Sequence, residues 1–264
     1  MTLMLDSLYH RHVAAAFEKQ MRLGKFLSSL VPSVTLRWHT PNGERSPGTL
    51  QDPLGLDADC SFDMRSGILK FGGRVGLRAQ LLGLEDRIHS TRLWGWSSPP
   101  GISEEHLVAS NRMRDYGSEQ GLAEFTTETI PCATLFSDDL GIAGHGLSAI
   151  AVGVLGFDTY FPAPYDGGTV FVLLKDSRLR VDNIDPFPQV LSGFPACLRG
   201  LPISDHRSAL LGYLEFHGFR PTVTGTELTA SLDGKEILDA KFDGHGQLLK
   251  LTGTIEGRVH VAFG

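Results

Sequence analysis

Residues 61–81 read SFDMRSGILKFGGRVGLRAQL. Apolar and polar side chains alternate in three short runs within this segment, and Arg65-Ser66-Gly67 and Gly72-Gly73 separate the runs. Such alternation is typical of strands that bury one face, and short glycine-containing breaks are typical of hairpin turns. We therefore predict an antiparallel β-meander, which a further strand over Arg92–Ser97 continues. Glu85-Asp86 lies between these strands and is interpreted as a solvated turn, because adjacent side chains on a strand point to opposite faces.

Helices are predicted on both sides of the meander. Apolar residues recur every third or fourth position from Asp6 to Leu30, which is the period of an amphipathic helix. A second helix is expected from Ser103 to Tyr116, with Gly117 as its stop. A third is expected from Asp138 to Leu155, and its many glycines require close packing, so we expect it to be the most deeply buried segment.

The remaining segments complete an α+β fold. Val34–Trp38 alternates like a short strand, residues 41–59 and 157–168 are predicted to be loops, and the apolar run Thr169–Lys175 is typical of a central strand. The fold class predicted is an antiparallel β-meander packed against helices, plus a small C-terminal unit. This unit comprises a helix over Ser204–His217 and a second β-meander.

The domain division follows from proline and glycine placement. Six of these residues punctuate the stretch from Pro186 to Pro202, which predicts a linker over residues 181–202. The α+β domain is then residues 1–180 and the C-terminal unit is residues 203–264. A unit of this size is small for independent stability, so we expect it to dock on the first domain.

Composition excludes several classes of function. The net charge is −6 and the basic residues are scattered, which disfavours nucleic-acid binding. The sequence has neither a long apolar run nor a secretory leader pattern, so we expect a cytoplasmic protein without membrane contact. Cys60, Cys132 and Cys197 lie far apart and are interpreted as reduced, structural thiols, although one catalytic cysteine stays open.

The common enzyme fingerprints for phosphate, dinucleotide and zinc binding are absent from the sequence. Gly146–Ile150 lacks the second glycine of a nucleophile elbow, and His10 and His12 point in different directions on a helix. We therefore predict no cofactor and no metal, while a metal site assembled from remote residues stays open.

The candidate binding residues are aromatic and polar side chains of two segments. Trp94 and Trp96 are predicted to form an aromatic wall with Arg92 or His89 as a polar contact, and Tyr160 and Asp166 belong to the second segment. The plainer interpretation is that the tryptophans belong to the core. We expect a non-catalytic module that binds a small molecule or a protein partner.

An enzyme is the alternative. A hydrolase, lyase or cyclase acting on a small molecule would use Asp166 with His145 or Tyr165 as acid and base. The plainer interpretation of Asp166, beside Gly167 and Gly168, is a tight turn in which its carboxylate bonds its own backbone. A homo-oligomer through an exposed edge strand of the C-terminal unit is compatible with either function.

Three motifs recur in this order in an uncharacterised bacterial family. They are Trp94-Gly95-Trp96, Arg114-Asp115-Tyr116-Gly117 and Pro164-Tyr165-Asp166-Gly167-Gly168. Over roughly residues 5–176 the chain resembles this family of domains of unknown function. The resemblance implies an α+β domain in the bacterial cytoplasm, and it implies no reaction. The C-terminal unit lies outside it.

Overall fold

The structure is a computed structural model. It describes residues 2–30, 35–36, 56–57, 60–97, 101–136, 143–180, 185–255 and 258–263. Most of the predicted strand Val34–Trp38 and of the loop over residues 41–59 therefore lies outside the described residues. Within them, Thr35–Leu36 and Leu56–Asp57 pair as two short antiparallel strands.

Helices and strands are both well represented. The helices are α1 (Thr2–Leu30), α2 (Val108–Gln120), α3 (Ala123–Thr126), α4 (Ala143–Leu155), α5 (Pro186–Gly200) and α6 (His206–Phe216). The strands are β1 (Thr35–Leu36), β2 (Leu56–Asp57), β3 (Cys60–Asp63), β4 (Ile68–Phe71), β5 (Val75–Asp86), β6 (Thr91–Trp94), β7 (Thr129–Pro131), β8 (Thr159–Tyr165), β9 (Gly168–Leu174), β10 (Arg220–Thr224), β11 (Glu227–Leu232), β12 (Lys235–Phe242), β13 (Leu248–Ile255) and β14 (Arg258–Phe263). The predicted α+β class is confirmed.

The larger sheet is built around β5. Strands β3 to β7 follow one another as antiparallel neighbours, which confirms the predicted meander. The end of β5 pairs with β6 and also with β9, so β9 lies along the opposite edge of β5. Residues near the end of β5 therefore have neighbours on both sides.

The prediction of a loop over residues 157–168 is wrong. Most of this segment is β8, which forms a hairpin with β9. Pro162 and Pro164 are tolerated because β8 pairs with β9 alone in the described sheet, and an edge strand needs fewer backbone donors. Asp166 and Gly167 form the two-residue turn between Tyr165 and Gly168, and Gly167 has a φ of 109°.

Two local predictions near α2 also need correction. Helix α2 continues through Gly117 and ends where Gly121 adopts a φ of 67°. Gly117 serves packing instead, because a Cβ there would lie 2.4 Å from the Cβ of Phe125. Strand β6 ends at Trp94, and Gly95–Ser97 is a 3-10 turn, so Trp94 and Trp96 do not share the face of a strand.

Helix α4 is the buried helix that its glycines predict. Most of its residues are buried, and the chain leaves it at Gly156, with a φ of 69°. Two of its glycines permit close contacts. A Cβ at Gly144 would lie 2.2 Å from the Phe171 ring of β9, and one at Gly153 would lie 2.2 Å from His12 of α1. Helix α4 is therefore packed between α1 and the larger sheet.

The stretch interpreted as a linker contains helix α5. Asp185 caps it by accepting a hydrogen bond from the Phe187 N–H at 3.0 Å, and Phe187, Val190 and Phe194 are buried. A helix rich in proline forms here because Pro186 and Pro188 lie in its first turn, where their missing N–H groups would have no partner in the helix. The division into two domains stays a prediction.

Helix α6 and the sheet β10 to β14 complete the fold, which includes a strand, β10, that the sequence analysis did not predict. Helix α6 lies against α1 at Glu18. The buried Glu18 carboxylate accepts hydrogen bonds from the Tyr213 hydroxyl at 2.5 Å and from His217 at 2.8 Å. The C-terminal part is thus tied to the first helix of the chain.

Candidate functional site

Several predicted site residues meet on the face of the larger sheet that α4 covers. Glu85 of β5 pairs directly with Arg92 of β6, and Gly83 pairs with both Trp94 and Phe171. Side chains of directly opposite residues emerge on the same face of a sheet. The side chains of Glu85, Arg92, Trp94 and Phe171 therefore lie together.

A chain of ring contacts joins these residues to α4. The Arg92 guanidinium carbon lies 5.4 Å from the Trp94 ring centre and 4.8 Å from that of Phe171. The His145 ring meets Phe171 edge to face at 5.3 Å, and its Nδ1 lies 3.1 Å from the Tyr160 hydroxyl. We call Glu85, Arg92, Trp94, His145, Tyr160 and Phe171 the Arg92 cluster.

Arg92 is the unusual member of the cluster. Its side chain is fully buried, and its three guanidinium nitrogens have no hydrogen-bond partner among the described residues. Burial lowers the pKa of Arg92 to about 10, against the opposing influence of Glu85 and Cys132. The group is still cationic at neutral pH. A buried charge without hydrogen bonds is costly, and the two aromatic rings offset only part of that cost.

Glu85 is negatively charged and also has a buried atom without a hydrogen-bond partner. Its Oε1 is buried and lacks a hydrogen-bond partner within the described part of the chain. A Cβ at Gly144 would lie 2.6 Å from that oxygen, so the first turn of α4 packs directly against the carboxylate. The positive end of a helix dipole favours a carboxylate at this position.

The cluster reaches the protein surface along one side. Glu85, Cys132, His145 and Thr169 are only partly buried, whereas Arg92 and Tyr160 lie beneath them. Burial raises the pKa of Cys132 to about 11, so this residue is a thiol and a poor nucleophile at neutral pH. The arrangement suits binding of a small polar molecule more than covalent chemistry.

Trp94 and Trp96 have different surroundings. Trp94 is fully buried, its indole N–H donates to the Glu124 carbonyl at 2.9 Å, and its ring packs on Phe125. Trp96 instead lines an open groove of about 630 Å³, where Arg114 lies 5.2 Å above its ring. The other lining residues are Glu104, Glu105, Leu107, Val108 and Asn111.

Asp166 and Tyr165 lie at the tip of the β8–β9 hairpin. Both are exposed, and Asp166 has no hydrogen bond or ion pair with any of the described residues. Burial and the nearby Asp86 raise the pKa of Tyr165. The structure does not bring Asp166 to His145, so the acid and base of the enzyme hypothesis are not assembled.

Glu85 and Phe171 are site residues that were not predicted from the sequence. Glu85 was interpreted as part of a solvated turn, and Phe171 as one residue of an apolar run. The signal for Glu85 was available: it and Arg92 are equally far from the middle of the turn between β5 and β6, so a hairpin places them opposite one another.

Neither a metal site nor a membrane span emerges from the described residues. Among them, no group of three or more His, Cys, Asp and Glu side chains is placed to hold an ion. No helix of that part of the chain has the length and apolarity needed to cross a bilayer.

Fold and site together define an α+β protein with a charged cluster buried between a helix and a sheet. The chain belongs to DUF6882, a family of unknown function whose model matches residues 6–177. The predicted resemblance to an uncharacterised family is thereby confirmed. The match covers more than half of the chain and contains the whole Arg92 cluster, and it ends before α5. No curated protein and no solved structure matches the chain significantly.

Proposed function

We propose that this protein is a non-catalytic binding module of the bacterial cytoplasm that takes a small molecule at the Arg92 cluster. The observation that carries the proposal is the fully buried, unpartnered guanidinium of Arg92. Ligand sites typically combine apolar and aromatic walls with a few fixed polar groups. Trp94 and Phe171 supply such walls here, and Glu85 and Arg92 supply the polar groups.

Further features support this choice of site and compartment. None of the three cysteines, all of which the structure describes, forms a disulfide, as expected in a reducing compartment. Arg92 is beyond the reach of a flat protein surface, because only the rim of the cluster is partly exposed.

The alternative hypothesis, an enzyme with Asp166 as acid or base, has less support. Asp166 is solvated at a hairpin tip, and general acid–base catalysis needs a second group within hydrogen-bond reach. His145 and Tyr160 are such a pair, but their contact belongs to the packing of α4 on β8. We therefore assign His145 and Tyr160 to the walls of the binding site.

Thermal unfolding tests the proposal. Wild type, Arg92→Met and the control Arg114→Met are heated with acetate, inorganic phosphate, succinate or L-alanine at constant ionic strength. A ligand at one hundred times its dissociation constant adds about 2.7 kcal/mol to the free energy of unfolding. We expect at least one probe to raise the Tm of wild type and Arg114→Met but not of Arg92→Met. Failure of every probe, or equal shifts in all three proteins, would contradict the proposal.

A further inference from the structure

Glu85 and Arg92 carry opposite charges and face one another without forming an ion pair. They are directly opposite residues of β5 and β6, so their Cβ atoms are about 5 Å apart. Among the described residues, no hydrogen bond or ion pair joins their charged groups or gives Glu85 Oε1 another partner. Arg92 therefore needs a hydrogen-bond acceptor, and Glu85 needs a hydrogen-bond donor.

The surroundings of Arg92 determine what its partner must be. Trp94 and Phe171 lie within cation–π distance of the guanidinium, at 5.4 and 4.8 Å. An aromatic face attracts the charge but does not replace the acceptors that the in-plane N–H groups require. A carboxylate fits this requirement best, because its two oxygens match the planar fork of an arginine.

The requirement of Glu85 is complementary. A carboxylate only accepts hydrogen bonds, so its partner must donate, and an ammonium group donates while carrying the opposite charge. Gly83 and Gly144 lack side chains and so let the backbone pack closely beside both groups. A Cβ at Gly83 would lie 3.2 Å from an Arg92 nitrogen, and one at Gly144 would lie 2.6 Å from the Glu85 oxygen.

The charge balance selects between classes of ligand. A simple anion would pair with Arg92 but would be repelled by Glu85, and a simple cation would meet the reverse situation. A molecule that carries both charges satisfies both residues and leaves the buried cluster neutral. The carboxylate and ammonium of an α-amino acid are separated by one carbon, which suits two charged residues on neighbouring strands.

We infer that the Arg92 cluster binds a small α-amino acid, with the ligand carboxylate on Arg92 and the ligand ammonium on Glu85. This inference rests on the proposed function and makes it specific. His145 and Tyr160 lie on the α4 side of Phe171 and limit the size of the ligand side chain. Glycine, L-alanine and L-serine are accordingly the probes of choice.

Binding is measured by calorimetry and by thermal shift with glycine, L-alanine, acetate and methylammonium. The proteins are wild type, Glu85→Gln, Arg92→Met and the control Glu105→Gln, which changes a carboxylate of the separate Trp96 groove. The Tm and far-UV circular dichroism of each variant without ligand establish that it folds.

We expect L-alanine or glycine to bind wild type at least tenfold more tightly than acetate or methylammonium. Glu85→Gln should weaken amino-acid binding at least tenfold and strengthen acetate binding, because the repelling carboxylate is gone. Glu105→Gln should change neither. This opposite response to one substitution is not expected from a purely structural role of Glu85.

Two results would overturn the inference, and they differ in their consequences. If acetate binds as tightly as L-alanine and Glu85→Gln alters neither affinity, the amino-acid inference is wrong and the proposed binding of a small molecule at the Arg92 cluster stands. If none of these probes or those of the earlier panel binds wild type, or if all bind Arg92→Met equally, both the inference and the proposed function fail.

Discussion

Arg92→Met is expected to stabilise the unliganded protein while it abolishes binding. Three buried guanidinium nitrogens lack partners among the described residues, and each unsatisfied donor costs about 1–3 kcal/mol. The substitution removes this cost but also two cation–π contacts, each worth about 0.5–2 kcal/mol. Removing one member of a buried ion pair is destabilising, but among the described residues no ion pair or hydrogen bond joins Arg92 to Glu85. We expect a gain of about 1–3 kcal/mol in the free energy of unfolding.

Urea titration and calorimetry in amino-acid-free buffer measure this gain. For a chain of this size it corresponds to a rise in Tm of roughly 2–10 °C. Arg114→Met is the matched control, because Arg114 also lies over a tryptophan ring but at the open Trp96 groove, and it should stay within about 0.5 kcal/mol of wild type. A loss of more than about 2 kcal/mol in Arg92→Met would show that Arg92 has a structural partner, as broken buried ion pairs do, and would refute the reasoning.

Three further predictions concern other parts of the molecule. Burial opposes ionisation of Glu18, but hydrogen bonds from His217 and Tyr213 outweigh it and lower the pKa of Glu18 from 4.5 to about 2. The stabilisation that the Glu18 carboxylate provides is therefore complete above pH 4.5 and is lost as the pH falls toward 2. Glu18→Gln should lower the free energy of unfolding by about 3 kcal/mol in urea titrations at pH 7 and should weaken the loss of stability at acid pH. An unchanged loss of stability at acid pH would contradict this prediction. Gly212→Ala places a Cβ 1.8 Å from a carbonyl oxygen of α1 and should lower the free energy of unfolding, measured by thermal unfolding, by about 1–3 kcal/mol. An unchanged free energy of unfolding would show that α1 and α6 separate easily. Asp166→Asn should leave stability within about 0.5 kcal/mol and the L-alanine-induced Tm shift unchanged, so a lost shift would place the hairpin tip in the site.

The sheet was predictable where side-chain alternation and turn residues agree. Residues 61–81 contain both signals, and β3, β4 and β5 lie where they were expected. Prolines misled the prediction in two places, for different physical reasons. Pro162 and Pro164 occupy an edge strand, and Pro186 and Pro188 occupy the first turn of a helix. Proline is tolerated where the backbone N–H would have no hydrogen-bond partner, and the sequence alone does not show where those positions are.

The candidate site was predictable only in part. Arg92 and Trp94 follow from alternation along β6, and the facing position of Glu85 follows from the symmetry of the hairpin. Glu85 and Asp86 do point to opposite sides, as the sequence analysis argued. Asp86 accepts hydrogen bonds from the turn, at Ile88 and His89, while Glu85 points toward α4. The contact between His145 and Phe171 depends on how α4 packs, which no local pattern specifies.

The NMR signal of the Arg92 Nε–H group tests the central claim most directly. The signal is assigned by its absence from the spectrum of Arg92→Met. Because Arg92 is buried, its Nε–H proton should exchange with water slowly enough for detection at neutral pH. If the Arg92 cluster binds an α-amino acid, the signal shifts saturably as L-alanine is added into the millimolar range, and it shifts much less with acetate. A signal that stays unmoved by L-alanine and by every other probe would contradict the account.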